Sequence, residues 1–134
     1  MGMGEAMIIA GVGCRKGATA AAVEAAIDTA LSHVGRGADA LALIATSAAK
    51  GKELGIMDTA VRLGVPLILV GQRELQAAGQ RAETQSERVM ALTGVPSLAE
   101  AAALAAAGSG AKLLARRIAV GPATCALAMV EGAP

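Results

Sequence analysis

The chain has 134 residues, of which 54% are hydrophobic and none is aromatic, and its formal net charge is +1. This length predicts one domain over residues 1–134, with a core of aliphatic side chains and Met. The near-neutral charge and the absence of aromatic rings argue against nucleic-acid binding, which uses basic surfaces and stacking platforms. No apolar run approaches the roughly 20 residues of a membrane span, and no secretory signal is visible. We therefore expect a cytoplasmic chain with no membrane partner.

The first predicted strand, Met7–Ala10, leads into a glycine-rich segment, Gly11-Val12-Gly13-Cys14-Arg15-Lys16-Gly17. Apolar residues at helical spacing from Val23 onward predict that a helix follows. Glycines let a ligand approach the backbone, a helix N-terminus attracts anions, and Arg15 and Lys16 add positive charge. The segment is therefore predicted to bind an anion. The alternative is a glycine turn that only packs the helix against the strand.

The spacing of this segment differs from two known phosphate-binding loops. A dinucleotide fingerprint is Gly-x-Gly-x-x-Gly with an acidic residue after the next strand. Here the spacing is Gly-x-Gly-x-x-x-Gly, and the next strand leads into Ala45-Thr46-Ser47. A P-loop needs Lys and Ser or Thr after its last glycine, whereas Gly17 is followed by Ala18. A phosphate- or nucleotide-binding regulatory module is kept as an alternative function.

The remaining patterns alternate between helix and strand and predict an α/β fold, a three-layer domain with a mostly parallel sheet. Thr19 is the expected N-cap of the first helix. The expected elements that follow are a turn at Gly35–Gly37, a strand at about 40–45, a helix from Ile56 to Leu63 closed by Gly64, a strand at Pro66–Val70, and a polar, helix-prone section at 72–92 whose residues 80–87 lie at the surface.

The last part of the chain is predicted to form one helix and two strands. Ser97-Leu98-Ala99-Glu100 is a capping box that begins an alanine-rich helix ending near Gly108. Two strand-like runs, Lys112–Val120 and Ala123–Val130, flank Gly121-Pro122. They form either a hairpin or two neighbouring strands, which gives the sheet an antiparallel strand or a hairpin at the C-terminus.

Ligands of parallel-sheet proteins collect beyond the carboxyl ends of the strands. The first strand delivers the glycine-rich segment there, and the second delivers Thr46, Ser47, Lys50 and Glu53. The third leads toward Gly71-Gln72-Arg73. Alternatively, Lys50 and Glu53 are solvated charges that flank a helix, and Thr46 only ends its strand.

The cysteines and the single histidine do not have the spacing of metal ligands. Cys14, His33 and Cys125 are far apart in the sequence, so we expect no metal site and no cofactor. Cys125 lies in an apolar run and is expected to be a small, buried hydrophobic residue. A helix N-terminus and neighbouring cations are expected to lower the pKa of the Cys14 thiol, which makes Cys14 a weak candidate nucleophile.

Two long segments resemble the CobE family, which is also the C-terminal domain of the cobalamin biosynthesis protein CbiG. The first is residues 11–17 with the helix that follows, together with Ala45-Thr46, Lys50, Glu53 and Leu63-Gly64-Val65-Pro66-Leu67. The second runs from Ser86-Glu87-Arg88-Val89 through Thr93-Gly94-Val95-Pro96-Ser97 to Ala102. The resemblance spans residues 7–128. It is weaker at Arg116-Arg117, where relatives carry a more basic stretch.

This resemblance implies a role in making the corrin ring of vitamin B12, with a carboxylate-rich, precorrin-type tetrapyrrole as ligand. Carrier or accessory binding is the favoured role, with Met57 or Met90 in an aliphatic floor under the ring. A hydrolase that opens a ring lactone is the alternative, with Glu53 as candidate base. Other enzymes of the pathway and a second copy of the chain are partners that the resemblance leaves open. The predicted ligand-binding residues are Gly11, Gly13, Cys14, Arg15, Lys16, Gly17, Thr46, Lys50, Glu53, Thr93, Gly94 and Ser97.

Overall fold

The computed structural model describes residues 6–131. Over this range strands and helices alternate in the first half of the chain. In chain order the elements are β1 (Ala6–Cys14), α1 (Ala20–His33), β2 (Leu41–Ser47), α2 (Leu54–Leu63), β3 (Leu67–Val70), α3 (Gln72–Gly79), α4 (Glu87–Thr93), α5 (Leu98–Ala107), β4 (Lys112–Val120) and β5 (Ala123–Glu131). Two short 3-10 turns, Ala38–Ala40 and Ala48–Lys50, precede and follow β2.

The strands form one sheet in the order β3-β2-β1-β5-β4. The pairs β1–β2 and β2–β3 are parallel, whereas β5 is antiparallel to both β1 and β4. Strand β4 therefore runs in the same direction as β1, β2 and β3, and these four strands end at one side, the carboxyl end of the sheet. The predicted α/β fold is confirmed. The open question at the C-terminus is also answered, because β4 and β5 form a hairpin around Gly121-Pro122.

Helices cover both faces of the sheet. On the face covered by α1 and α2, the core includes Val12, Ile27 and Ile56, all fully buried. On the face covered by α3 and α5, it includes Ile9 and Leu104. Burying an aliphatic side chain of this size stabilises the fold by about 1.5–3 kcal/mol relative to exposure. Aliphatic packing of this kind replaces the aromatic core residues that the chain lacks.

Helix α5 approaches β1 closely at Gly11. A Cβ atom at Gly11 would lie 1.9 Å from the Ala99 carbonyl oxygen and 2.6 Å from the Ala103 nitrogen. Most of α5 is alanine, and its residues from Leu98 to Leu104 are all buried. The missing side chain of the strand and the short side chains of the helix together let the two backbones pack against each other.

Strand β1 is longer than predicted, since it continues beyond Ala10 to Cys14. Strand β5 pairs with it in unbroken register, from Ala6 opposite Glu131 to Cys14 opposite Ala123. This distant partner satisfies the backbone of the glycine-rich segment, and no local pattern could show that. Gly11 and Gly13 are consequently strand residues and not loop residues.

The polar section at 72–92 forms two helices, α3 and α4, and the segment between them is exposed or half-buried throughout, as predicted. Strand β3 begins at Leu67 and not at Pro66, because Pro66 has no N–H to donate to a strand ladder. Thr19 and Ser97 are confirmed as the N-caps of α1 and α5.

Over residues 6–131 no single helix has the length and hydropathy to cross a membrane. Helices α4 and α5 meet the criteria of length and composition only as a pair, and that pair is bent by 64° at its break.

Candidate functional site

The turn that follows β1, residues 15–19, is held in place by hydrogen bonds within the chain. The Arg15 amide donates to the Pro122 carbonyl at the tip of the β4–β5 hairpin, with an N···O distance of 2.8 Å. The Ala18 amide donates to the Arg15 carbonyl at 3.1 Å. Gly17 has a φ of +80°, a conformation that favours glycine. Several backbone amides that were expected to face an anion are thus already paired.

The start of α2 docks against this turn. The Gly17 amide donates to Glu53 Oε1 at 3.0 Å, and Glu53, although it is the N-cap residue of α2, makes no side-chain capping bond there. Gly55 permits the approach, because a Cβ atom at Gly55 would lie 2.2 Å from the Ala18 carbonyl oxygen. Glu53 therefore organises the turn, a role that its position in the sequence did not indicate.

Cys14 is half-buried at the end of β1, beside Glu53 and Lys50. Burial raises the pKa of the Cys14 thiol, the Glu53 carboxylate raises it further, and the Lys50 ammonium opposes the two. The predicted lowering of this pKa is therefore wrong, because burial and a nearby carboxylate outweigh the cations. A thiol of raised pKa stays protonated at neutral pH and is a poor nucleophile.

The candidate cations Arg15, Lys16 and Lys50, at the carboxyl end of the sheet, have no carboxylate partner among the described side chains, residues 7–130, as is true there of every Lys and Arg except Arg62. Arg15 and Lys16 are exposed on the turn, and Lys50 is half-buried on the 3-10 turn after β2. Over the same range the one ion pair joins Arg62 Nη2 to Glu24 Oε1 at 3.3 Å, away from the turn. Unpaired cations at one end of a sheet favour an anionic ligand, since charge-assisted hydrogen bonds are the strong ones.

Hydrogen bonds at the end of β2 fix the backbone that leads to Lys50. Thr46 is fully buried and donates its hydroxyl to the Val12 carbonyl of β1 at 2.7 Å. Ser47 caps the 3-10 turn by accepting from the Ala49 amide at 3.1 Å. The Thr46 hydroxyl thus links two strands, and of these residues only Lys50 offers an uncommitted polar group to a ligand.

The second family-like segment lies where α4 ends and α5 begins. Gly94 ends α4 with a φ of +79°, and Gln72 Nε2 donates to the preceding Thr93 carbonyl at 2.7 Å. The Thr93 hydroxyl donates back to Val89 of its own helix at 2.6 Å. Ser97 is fully buried and accepts from the amide at the third residue of α5. Both predicted ligand hydroxyls are committed to the fold, and Gly94 alone of the three predicted residues is exposed.

The two segments nevertheless meet at the carboxyl end of the sheet, because α5 begins beside β1. A Cβ atom at Gly13 would lie 2.9 Å from Thr124 Oγ1 and 3.6 Å from Leu98 Cδ2. Gly13 and Gly11 are both buried. The expectation that these two glycines admit a ligand is therefore wrong, and close packing of protein against protein is the physical reason for them.

A buried carboxylate, Glu100, was not singled out by the sequence beyond its place in the capping box. Glu100 is fully buried, and it accepts bonds from the amides of Glu83 (2.7 Å), Thr84 (2.9 Å) and Arg117 (2.9 Å) and from the Thr84 hydroxyl. Burial raises the pKa of Glu100, but these hydrogen bonds outweigh burial and lower it below the ordinary value. Instead of closing the capping box onto Ser97, Glu100 ties the 83–84 segment and β4 to α5.

A shallow groove of about 440 Å³ lies between α3 and α4. It adjoins a depression of about 400 Å³ on the outer side of α4. Met90 lines both and is 47% exposed, whereas Met57 lies on α2, away from this groove. The groove residues are Gln76, Gly79, Gln80, Gln85, Met90, Gly94, Val95 and Pro96. The surface thus combines amide groups with an apolar floor.

The described part of the chain brings together no group of three or more His, Cys, Asp or Glu side chains that fits a metal ion. Of the predicted site residues, Arg15, Lys16, Lys50 and Glu53 lie on the two turns that follow β1 and β2.

The chain matches one family of known proteins. The model of the family described as "Cobalamin synthesis G C-terminus" matches residues 8–128. The Protein CobE of a Sinorhizobium species is 35% identical over 121 residues, which are 90% of this chain and 79% of that relative.

Solved structures show the same fold. The crystal structure of CobE, a protein from the cobalamin (vitamin B12) biosynthetic pathway, superposes with a TM-score of 0.89 at 32% identity, over 94% of this chain and 95% of that one. A cobalamin biosynthesis protein of Agrobacterium tumefaciens, chiG, gives 0.71 at 37% identity, over 90% and 96%. A homologue of cobalamin biosynthesis protein G from Sulfolobus solfataricus gives 0.68 at 23% identity, and the match covers 92% of this chain but 36% of that longer one.

The fold and the family match thus define an α/β domain of cobalamin biosynthesis. Specifically, the chain belongs to the family of CobE and the CbiG C-terminal domain.

Proposed function

We propose that this chain binds a carboxylate-rich, precorrin-type tetrapyrrole at the carboxyl end of the sheet, as a carrier or accessory to a pathway step. The observation that carries the proposal is that Arg15, Lys16 and Lys50 lie around the one turn that Glu53 holds, with no carboxylate partner among the described side chains. A ligand with several acetate and propionate groups supplies the missing anions. Each hydrogen bond between such charged groups contributes about 1.5–3 kcal/mol.

The apolar ring of such a ligand needs a surface of a different kind. The groove beside α4 offers Met90, Val95 and Pro96 with glutamine side chains around them. Methionine fits irregular apolar surfaces because it is flexible and polarizable. We assign the ring face to this groove and the carboxylates to the cations of the β1–α1 turn and the 3-10 turn after β2.

Binding is favoured over catalysis by the state of the two candidate catalytic groups. Burial and Glu53 keep the Cys14 thiol protonated. Glu53 itself accepts the Gly17 amide bond that shapes the turn. A lactone-opening hydrolase needs a base directed at water or substrate, and a phosphate-binding module needs free amides, several of which are paired in this turn. Both alternatives are kept as outcomes of the test.

The compartment in this proposal is the cytoplasm. Cys14 and Cys125 are both free thiols, and unpaired cysteines are typical of reducing compartments.

The test is a visible-absorbance titration of the purified chain with a metal-free, carboxylated corrin-pathway intermediate. The chain lacks Trp, Tyr and Phe, so ligand bands stand clear of protein absorbance. A saturable one-to-one spectral shift that persists supports the carrier. A spectral change that continues over many equivalents of ligand would show that the chain is an enzyme and not a carrier. If the intermediate causes no spectral shift and inorganic phosphate stabilises the chain against thermal unfolding, the phosphate-binding module is the function supported.

A further inference from the structure

Strand β3 is an exposed edge of the sheet that carries no charged side chain. Its residues, Leu67–Val70, are all aliphatic, and Ile68 and Leu69 are 40% and 49% exposed. Edge strands present unpaired N–H and C=O groups, and short length, Pro, charged side chains or β-bulges normally protect them. Strand β3 is short, with four residues, and follows Pro66. The opposite edge, β4, has both charges and irregular pairing: Lys112 and Arg116 are exposed, and two register shifts interrupt its pairing with β5. Strand β3 has neither a charge nor a register shift.

Helix α2 carries a second exposed apolar surface. Leu54, Met57 and Val61 are 68%, 41% and 79% exposed. Their spacing of three and four residues places them on one side of the helix. The opposite side of the same helix is already buried in the core. The outer side of such a helix is normally polar, so an exposed apolar stripe there is unusual.

The contacts of α2 show where the stripe points. Arg62 pairs with Glu24 of α1, and the Thr59 hydroxyl donates to the Ala20 carbonyl at 3.1 Å. At 3.6 residues per turn, Met57 lies roughly 140–160° around the helix from both Arg62 and Thr59. Met57 therefore faces away from α1, which covers β1, β5 and β4, and toward the β3 side of the sheet. Leu54 and Val61 lie roughly 80° and 100° from Arg62, between that side and the outer side of the helix. The stripe and the β3 edge form one surface, the β3–α2 surface.

We propose that the β3–α2 surface is the interface of a twofold homodimer. Antiparallel pairing of two β3 strands would satisfy the unpaired backbone groups of both edges and extend one sheet through both copies. A twofold axis perpendicular to that sheet places the two α2 stripes on the same face, opposite each other. A single axis serves both features, as an isologous interface requires. A second copy of this chain is therefore the occupant that the geometry favours.

The exposed area and the charges agree with this occupant. The five exposed aliphatic and Met residues correspond to on the order of 500 Å² per copy, so complete burial of all five in a dimer removes on the order of 1,000 Å², near the lower limit for a specific interface. Their side chains bring no like charges together across the axis. Pairing through β4 instead would oppose Lys112 and Arg116 with their own copies.

The experiment is sedimentation velocity on the full chain at about 100 µM, a concentration suited to an interface of this modest size. The wild type is expected to sediment as a dimer. Val61→Glu places a charge in the stripe and is expected to raise the dimer dissociation constant at least about tenfold. Leu92→Glu is the matched control, because Leu92 is 74% exposed on α4 and lies outside the β3–α2 surface. It should remain dimeric.

Amide hydrogen exchange tests the strand pairing separately. In the wild type the outward amides of Leu67–Val70 should be protected, and in Val61→Glu they should exchange faster with unchanged far-ultraviolet circular dichroism. A monomeric wild type at this concentration would overturn the proposal. So would a Val61→Glu variant as dimeric as the wild type, or equal β3 exchange in dimer and monomer.

Discussion

The carboxylate of Glu53 accepts a hydrogen bond from the amide of Gly17 at 3.0 Å, across 36 positions of sequence. The bond joins the start of α2 to the turn after β1. The same carboxylate lies close enough to Cys14 to raise the pKa of its thiol. One side chain therefore holds the shape of the turn and adds to the effect of burial in keeping the Cys14 thiol protonated.

The pKa of Cys14 should respond in opposite directions to its two charged neighbours. Glu53→Gln removes a charge that raises this pKa and should lower it, whereas Lys50→Met removes a charge that lowers it and should raise it further. The rate of iodoacetamide labelling as a function of pH measures the change, because only the thiolate reacts. Cys125 serves as an internal control, since it is fully buried and burial raises the pKa of its thiol far above neutral. Shifts of equal sign in the two variants would contradict the arrangement.

Glu100 should contribute to stability through its hydrogen bonds. Glu100→Gln keeps the volume but replaces one acceptor oxygen with an NH₂ donor that faces other donors. We expect a loss of about 2–4 kcal/mol in the free energy of unfolding, measured by urea titration at neutral pH. An unchanged stability would show that the bonds to the 83–84 segment and Arg117 have no net value.

The same residue predicts a dependence of stability on pH. Because the folded pKa of Glu100 lies below the ordinary value of 4.5, its ionisation stabilises the fold above about pH 4.5. This contribution declines as pH falls below that value and through the lower folded pKa. Urea titrations between neutral and acidic pH should therefore show a smaller acid-induced loss in Glu100→Gln than in the wild type. Equal losses in both proteins would contradict the lowered pKa.

Gly11 should be intolerant of any side chain. A Cβ atom there would lie 1.9 Å from the Ala99 carbonyl oxygen, so Gly11→Ala must push α5 away from β1. We expect a loss of about 3 kcal/mol or more. Gly110→Ala is the matched control, because a Cβ atom at Gly110 would meet nothing within 4 Å, and its effect should stay within about 0.5 kcal/mol. Thermal unfolding followed by circular dichroism compares the two, and similar effects would contradict the close approach.

Thr46 should matter for stability but not for binding. Its hydroxyl donates to the Val12 carbonyl inside the protein, so Thr46→Val should cost about 1 kcal/mol of unfolding free energy. The affinity for a tetrapyrrole ligand should not change. A loss of affinity at unchanged stability would return Thr46 to the binding surface.

The periodic segments could be predicted from the sequence, because their signals are local. The apolar spacing of α1 and the caps at Thr19 and Ser97 each predicted an element that the structure confirms. The extension of β1 to Cys14 could not be predicted, since it depends on pairing with β5 more than a hundred residues later.

The positions of the candidate cations could be predicted from the sequence, whereas the packing around them could not. Arg15, Lys16 and Lys50 lie at the carboxyl end of the sheet, where the order of the strands placed them. Gly11 was predicted to belong to a ligand-binding loop, but its missing side chain makes room for α5. In the sequence, a glycine that makes room for a ligand looks the same as one that makes room for a helix. The bond from Gly17 to Glu53 depends on how α2 docks, and no local pattern encodes that contact.

The most direct test of the account compares two double variants in the absorbance titration with a metal-free, carboxylated corrin-pathway intermediate. Arg15→Ala with Lys16→Ala removes two cations from the proposed site, and Lys112→Ala with Arg116→Ala removes two exposed cations from the far edge of the sheet. The account predicts at least about a tenfold loss of affinity for the first variant, because two charge-assisted contacts disappear, and wild-type affinity for the second. Equal affinities in both variants would contradict it.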